Sequence, residues 1–160
     1  MNDIHLDIGC GMRKADGWIG LDIRQYKGVD HVLNIGSDAF PLPDDSCIEI
    51  KAIHVLEHLY PQELFHCMEE AWRVCNPKGS FYIEVPKAGT PAYYIHPDHK
   101  IQFVADTFGF FNVPSDLDVH GYLNGFWHVA VEDLEQSIQA TLYPNKPNGK
   151  YPYKEVKRVG

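Results

Sequence analysis

"CIEIKAIHVLEHLYP", residues 47–61, supports two incompatible readings. Taken as a bare pattern, His54 to His58 is H-x-x-E-H. On a helix that pattern stacks two imidazoles one turn apart beside a carboxylate, as a zinc hydrolase requires. The residues just before it alternate instead: Ile48, Ile50 and Ala52 are apolar, Glu49 and Lys51 charged, which is the period of a strand. A strand running up to His54 places the loop at its C-terminal end, facing a ligand bound at the sheet edge. One turn can still bring His54 and His58 together, with His96 or His99 as a third ligand. Pro61, however, disfavours helical geometry at Tyr60 and interrupts the helical ladder soon after His58. The strand reading is preferred, the zinc hydrolase is the minor alternative, and no metal is expected.

Working outward, apolar runs over 4–8, 18–23 and 30–35 read as three earlier strands, the first ending at Gly9. "PLPDDS" separates the third from the strand that ends at His54. Leu64, Cys67, Met68, Ala71, Val74 and Cys75 recur at three- and four-residue steps, an amphipathic helix opened near Pro61 and closed by "NPKG". "SFYIEV" is a fifth strand. From 86 to 125 the pattern is weak, with a short helix before Gly109, and 126–134 and 137–143 read as two strands joined tightly. This order predicts a mostly parallel sheet with an antiparallel edge. Ligands of such sheets sit beyond the C-terminal strand ends. Asp7 to Gly11, Asp22, the residues after Asn34, and His54 all fall there.

The 160 residues, 44% of them apolar, suffice for one globular domain. No apolar stretch is long enough to span a bilayer, and no basic-then-apolar leader opens the chain. Cys10, Cys47, Cys67 and Cys75 form no C-x-x-C pair, so reduced thiols in a cytoplasmic protein are expected. The net charge of −8 is uneven. From Tyr143 onward five basic residues face Glu155 alone, a net +4, which leaves nine basic and 21 acidic residues, −12, in 1–142. An acidic body disfavours contact with nucleic-acid phosphates. The expected division is a domain over 1–143 and a basic, Pro- and Gly-containing tail over 144–160.

At the sheet edge, Gly9 and Gly11 of "LDIGCG" let the backbone turn sharply and approach a ligand. The third glycine of a dinucleotide fingerprint is absent, since Met12, Arg13 and Lys14 follow. Asp22 ends the second strand, where a carboxylate can accept from both hydroxyls of a ribose. It lies 11 positions after Gly11, short of the roughly 20 of a dinucleotide site.

"LDIGCG", "GWIGLDI", "FPLPDDSCIEIKAIHVLEHL" and "AWRVCNPKGSFYIEVP" together resemble class I S-adenosylmethionine-dependent methyltransferases, most closely those with methyltransferase type 11 domains. The resemblance covers about residues 4–86, four motifs in register. It implies α/β architecture: a Rossmann-like doubly wound, mostly parallel sheet with an antiparallel edge strand pair, in three α/β/α layers. It implies S-adenosylmethionine as cofactor. Gly9, Cys10 and Gly11 would run beneath methionine and ribose, and Asp7 would orient the amino end. Asp22 with Ile23 would hold the ribose. The segment from Asn34 to Ala39 would flank the adenine, with Asn34 and Asp38 competing for its amine. His54 would lie near the sulfonium. Only nine residues separate Gly11 from Leu21, so that crossover is expected to be a loop or a single turn.

A general base is needed only if the acceptor must lose a proton, and His54, His58, His96, Asp98, His99 and Tyr94 are the choices. His58 is expected to anchor the loop. The segment 87–103, "KAGTPAYYIHPDHKIQF", is the expected substrate wall, with Tyr94, His96 and His99 as substrate-binding residues. Tyr93, Tyr94 and Phe103 are available to stack on an acceptor. The expected activity is methyl transfer to a small-molecule or glycan-like acceptor. The alternatives are a non-catalytic S-adenosylmethionine- or nucleotide-binding module and a nicotinamide-dependent oxidoreductase. Expected partners are a small-molecule substrate, no nucleic acid and no membrane, with a homo-oligomer left open.

Overall fold

The structure is a computed structural model that describes residues 3–113, 123 and 125–149. Seven strands form one sheet: β1 (Ile4–Ile8), β2 (Ile19–Asp22), β3 (His31–Val32), β4 (Cys47–Ile53), β5 (Cys75–Pro86), β6 (Trp127–Asp133) and β7 (Ser137–Pro144). Their order is β3-β2-β1-β4-β5-β7-β6. The first five are parallel; β7 runs antiparallel to both β5 and β6. The parallel sheet with its antiparallel edge pair is thus as the sequence predicts.

Register explains where the core lies. Paired neighbours point to the same face, and Leu21, Ile8, Ala52, Ile83 and Ala140 are successive partners across five strands. All five are 0 or 1% exposed. Against this face packs α1 (Pro61–Val74), whose Leu64, Cys67, Met68, Ala71 and Val74 are buried in the same cluster. Pro61 sits in the first turn, where its missing N–H costs nothing. Phe103, Phe108, Phe111 and Trp127 extend the cluster beyond α1.

The opposite row is different. Asp7 pairs with Lys51, Lys51 with Tyr82, and Tyr82 with Thr141. Apart from Asp7, these are partly exposed. Among the described residues α1 is the one α-helix longer than about a turn, α2 (Pro91–Tyr94) being four residues. The β1–β2 connection is a loop, as its length predicts. Trp18 takes the place of a covering helix: its ring lies 5.2 Å from that of His5 and 4.4 Å from the Lys51 ammonium.

The chain after β7 is held to the domain. Lys146 Nζ donates to the carbonyls of Cys75 and Arg73 at 2.8 and 3.1 Å, pairs with Asp45, and lies 4.4 Å from the Trp72 ring. The first residues of the expected tail thus belong to the folded body; 150–160 lie outside the described residues.

Candidate functional site

β1 ends at Ile8 and the chain turns at once, with Gly9 at φ +67° and Gly11 at φ +51°, the left-handed region that a side chain disfavours. The N–H groups of Gly9 and Cys10 both donate to the Leu21 carbonyl, at 2.8 and 3.1 Å, and pin this loop to β2. Asp22 completes the clamp. Its Oδ2 accepts from the Gly11 N–H at 2.8 Å and its Oδ1 from the Arg24 N–H at 2.9 Å. Each oxygen keeps a second lone pair, so the carboxylate is fixed yet able to accept from a ligand hydroxyl.

Two cavities meet at Gly9. One, about 270 Å³, is walled by Asp22, Ile23, Asn34, Ile35, Val55, His58, Leu59, Tyr60, Glu63 and Lys100. The other, about 370 Å³, is walled by Asp7, Cys10, Gly11, Met12, Arg13, Lys51, Ile53 and His54. A Cβ on Gly9 would lie 2.6 Å from Val55 Cβ, so only glycine fits between them. The first cavity is a slot of mixed apolar and hydrogen-bonding character. The second is charged. Asp7, 5% exposed, pairs with Lys51 Nζ at 3.1 Å. Burial pushes the Asp7 carboxyl up and the Lys51 hydrogen bond opposes it. Burial, with the Asp7 and Asp22 charges, pushes the Cys10 thiol up to about 11, so it stays protonated and is not a nucleophile at neutral pH.

The β4 loop resolves the H-x-x-E-H pattern. The strand stops at Ile53, and His54 adopts φ +53° while its N–H donates to the Glu84 carbonyl at 2.9 Å. Leu56–His58 form a single 3-10 turn, and Tyr60 is extended ahead of Pro61. No helix carries both histidines. The His54 ring lies 3.7 Å from Glu57 Oε1 and 3.5 Å from Glu84 Oε1. The interaction with Glu57, above all, raises its pKa over the ordinary value.

A distant segment locks onto this turn. The N–H groups of Lys100 and Ile101 donate to the Glu57 carbonyl at 2.7 and 3.1 Å, and Lys100 Nζ to that of His58 at 2.8 Å. His58 Nδ1 donates to Asp98 Oδ2 at 2.9 Å, the anchoring role expected of it. His96 donates to the other Asp98 oxygen at 2.6 Å, and this bond leads the influences holding the Asp98 carboxyl down at about 2.

The structure brings Asp7, Gly9, Cys10, Gly11, Asp22, Ile23, Asn34 and His54 to the cavity walls. Asp38 and Ala39 are not among the wall residues. Asp38 Oδ2 is turned onto the Asn34 N–H at 2.8 Å, which leaves Asn34 as the one of the two competing residues that faces the cavity. Tyr94 and His96 are largely exposed and line neither cavity. The His99 side chain is 6% exposed and turned toward Glu57. Tyr93 and Phe103 are packed into the interior. Sequence reasoning missed Lys51 and Lys100. Lys51 reaches Asp7 through the β1–β4 register, and Lys100 arrives by a non-local docking, so neither leaves a local signal. Glu63 was missed too: it accepts from the Tyr60 N–H at 2.7 Å, half of a capping box, but Tyr60 in place of Ser or Thr hides that signature.

No protein-family profile matches the chain, and no curated protein is significantly similar to it. Solved structures are similar in fold. An S-adenosylmethionine-dependent methyltransferase from Archaeoglobus fulgidus superposes with a TM-score of 0.67 at 19% identity, over 88% of this chain and 85% of the other. Another, from Aquifex aeolicus, gives 0.57 at 17% identity, over 88% and 81%. The 1,6-didemethyltoxoflavin-N1-methyltransferase of Burkholderia thailandensis, with bound 1,6-didemethyltoxoflavin and S-adenosylhomocysteine, gives 0.61 at 11% identity, over 89% and 71%.

Proposed function

Since the chain has the class I S-adenosylmethionine-dependent methyltransferase fold, we propose that it binds S-adenosylmethionine across the two cavities and methylates a small-molecule or glycan-like acceptor. The observation that carries this reading is the clamp of Asp22 onto the Gly9–Gly11 loop at the C-terminal sheet edge. Asp22 would accept from the ribose hydroxyls. Asn34, Ile35 and Leu59 would enclose the adenine in the smaller cavity. The Asp7–Lys51 pair would meet the amino and carboxylate ends of the methionine, offering one charge to each.

The sulfonium supplies an activated methyl group, so the protein's work is to position, dehydrate and hold charge. His54 lies on the wall of the charged cavity and has a partner carboxylate on each side. An imidazole so placed can take a proton from an acceptor hydroxyl or amine. Four free, buried cysteines fit a reducing compartment, and a cytoplasmic location belongs to the same proposal. No helix among the described residues is long and apolar enough to cross a membrane.

Calorimetry with S-adenosylmethionine, S-adenosylhomocysteine and NAD in parallel tests the reading. The first two are expected to bind and to raise the melting temperature, since a ligand of the folded state alone stabilises it by about 2.7 kcal/mol at a hundredfold excess over Kd. Binding of NAD in their place would overturn the proposal. Release of S-adenosylhomocysteine on adding an acceptor separates an enzyme from a binding module.

A further inference from the structure

Beside the cavities, Glu57, His58 and His99 bring one carboxylate oxygen and two imidazole nitrogens within 4.8 Å of one another. We propose that these three residues bind a divalent cation of the zinc class. The set overlaps the H-x-x-E-H reading, which joins His54 and His58 with His96 or His99 as a third ligand, but here Glu57 takes the place of His54. His54 stands outside it, and His99 comes from a segment 41 residues beyond His58.

Protonation geometry argues for a cation. His99 Nδ1 lies 2.6 Å from the carbonyl oxygen of Tyr93, which can only accept, so Nδ1 carries the hydrogen. His58 Nδ1 likewise donates to the Asp98 carboxylate at 2.9 Å. In each neutral ring the Nε2 lone pair is then the free one, and both Nε2 atoms face Glu57 Oε1, at 4.0 Å from His58 and 3.8 Å from His99. Those separations exceed a hydrogen bond, so the contacts do not satisfy one another. A metal-bound histidine is oriented in just this way, its second nitrogen donating to a carboxylate or a carbonyl.

Glu57 supplies an independent observation. Its side chain is 1% exposed, and its Oε2 has no hydrogen-bond partner. A carboxylate so buried is costly unless a positive charge meets it. His54 Nδ1 stands 3.7 Å from Oε1, beyond a hydrogen bond, and Lys100 Nζ is occupied with the His58 and Asp98 carbonyls. The donor positions are also rigid, because the backbone bonds from Lys100 and Ile101 to the Glu57 carbonyl join the two contributing segments. Two imidazoles and a carboxylate suit zinc, with a fourth position left for water or another oxygen ligand. Bonds of ~2.0–2.1 Å in a tetrahedron put donors roughly 3.4 Å apart. The Glu57 pairs at 4.0 and 3.8 Å must then close by about half an ångström, and a separation near 4.8 Å by more than one, through side-chain rotation.

The test uses the full chain, without a histidine tag and freed of metal by a chelator. Titration with zinc chloride is expected to give one ion per chain, and cobalt(II) in its place to give the strong visible absorption of a four-coordinate site. Glu57→Gln and His99→Ala are each expected to weaken zinc at least tenfold. Should Glu57→Gln not fold, Asp98→Asn, which spares all three ligands, is expected to weaken zinc by a smaller factor. Sub-stoichiometric zinc in the wild type, or full affinity in His99→Ala, would overturn the site. S-adenosylhomocysteine titrated into the same samples reports on the methyltransferase reading separately, because Asp22, Gly9 and Asn34 are untouched.

Discussion

Asp22 serves two masters: it fixes the Gly9–Gly11 loop through the Gly11 N–H and presents its remaining lone pairs to the cavity. Asp22→Ala is expected to weaken S-adenosylhomocysteine by about 1.5–3 kcal/mol, the usual worth of hydrogen bonds to a charged group. Calorimetry reads this directly, and an unchanged affinity would place the ribose elsewhere. Gly9 and Gly11 form a matched pair. Both have positive φ, so alanine at either costs on the order of 1 kcal/mol in backbone strain. A Cβ at Gly11 meets nothing within 4 Å, whereas one at Gly9 collides with Val55. Gly9→Ala is therefore expected to lose more stability than Gly11→Ala in urea unfolding. It is also expected to lose ligand binding, because Val55 must move into the cavity. Equal losses for the two would mean that Val55 yields freely. These roles were legible because glycines and an acid at strand ends speak locally. Lys51, Lys100 and the His99 contact were not, since each depends on which distant segment docks where.

At the scale of elements, α1 organises the loop that precedes β4. Arg73 donates to both Glu70 oxygens at 2.8 and 2.7 Å, to Asp44 at 2.7 Å, and to the carbonyls of Leu42 and Phe40 at 3.0 Å. Glu70 in turn accepts from the Phe40 N–H at 2.7 Å. The bond from Arg73, assisted by that from Phe40, holds the Glu70 carboxyl below its ordinary 4.5. A depressed folded-state pKa contributes stability that is fully present above the unfolded value and fades as pH falls through the folded one. Glu70→Gln is thus expected to lower the urea midpoint at pH 7 and to flatten its decline below about pH 4.5. An acid limb as steep as wild type would assign the loss to other carboxylates. Sequence periodicity found α1 but not this clamp, since Arg73 reads there only as part of the polar face. Element ends were misjudged for a related reason. The third strand is predicted over 30–35 but spans only His31–Val32, because Asn34 Oδ1 takes the Gly36 N–H at 2.9 Å in an Asx turn. The region 87–111 lacks periodicity because its aromatics pack in pairs, Phe103 on Phe108 and Phe110 on Phe65, rather than along a helix face.

At the scale of the whole molecule, the described residues cover the sheet unequally. Parallel sheets are ordinarily buried on both faces, yet β4 alternates buried Ile50 and Ala52 with Glu49, Lys51 and the 42%-exposed Ile53. That alternation is written in "CIEIKAI", and it signals a strand whose second face is polar. The face bearing Asp7, Lys51, Tyr82, Glu84 and Gln139 is knit by side-chain bonds instead of helix packing. Glu84 accepts from the Tyr82 hydroxyl at 3.0 Å and from Gln139 at 3.2 Å. Stability should then be one-sided. Ile83→Ala opens a cavity among fully buried neighbours and is expected to cost about 2–5 kcal/mol. Thr141→Ala, on the polar face one strand away and in register with Tyr82, is expected to stay within about 0.5 kcal/mol. Urea unfolding of the two variants decides it. A cost for Thr141→Ala comparable to that for Ile83→Ala would mean that the polar face is buried in solution, by a further copy of the chain or another partner, and its concentration dependence would distinguish a self-association from a monomer packed more tightly than its exposed residues imply.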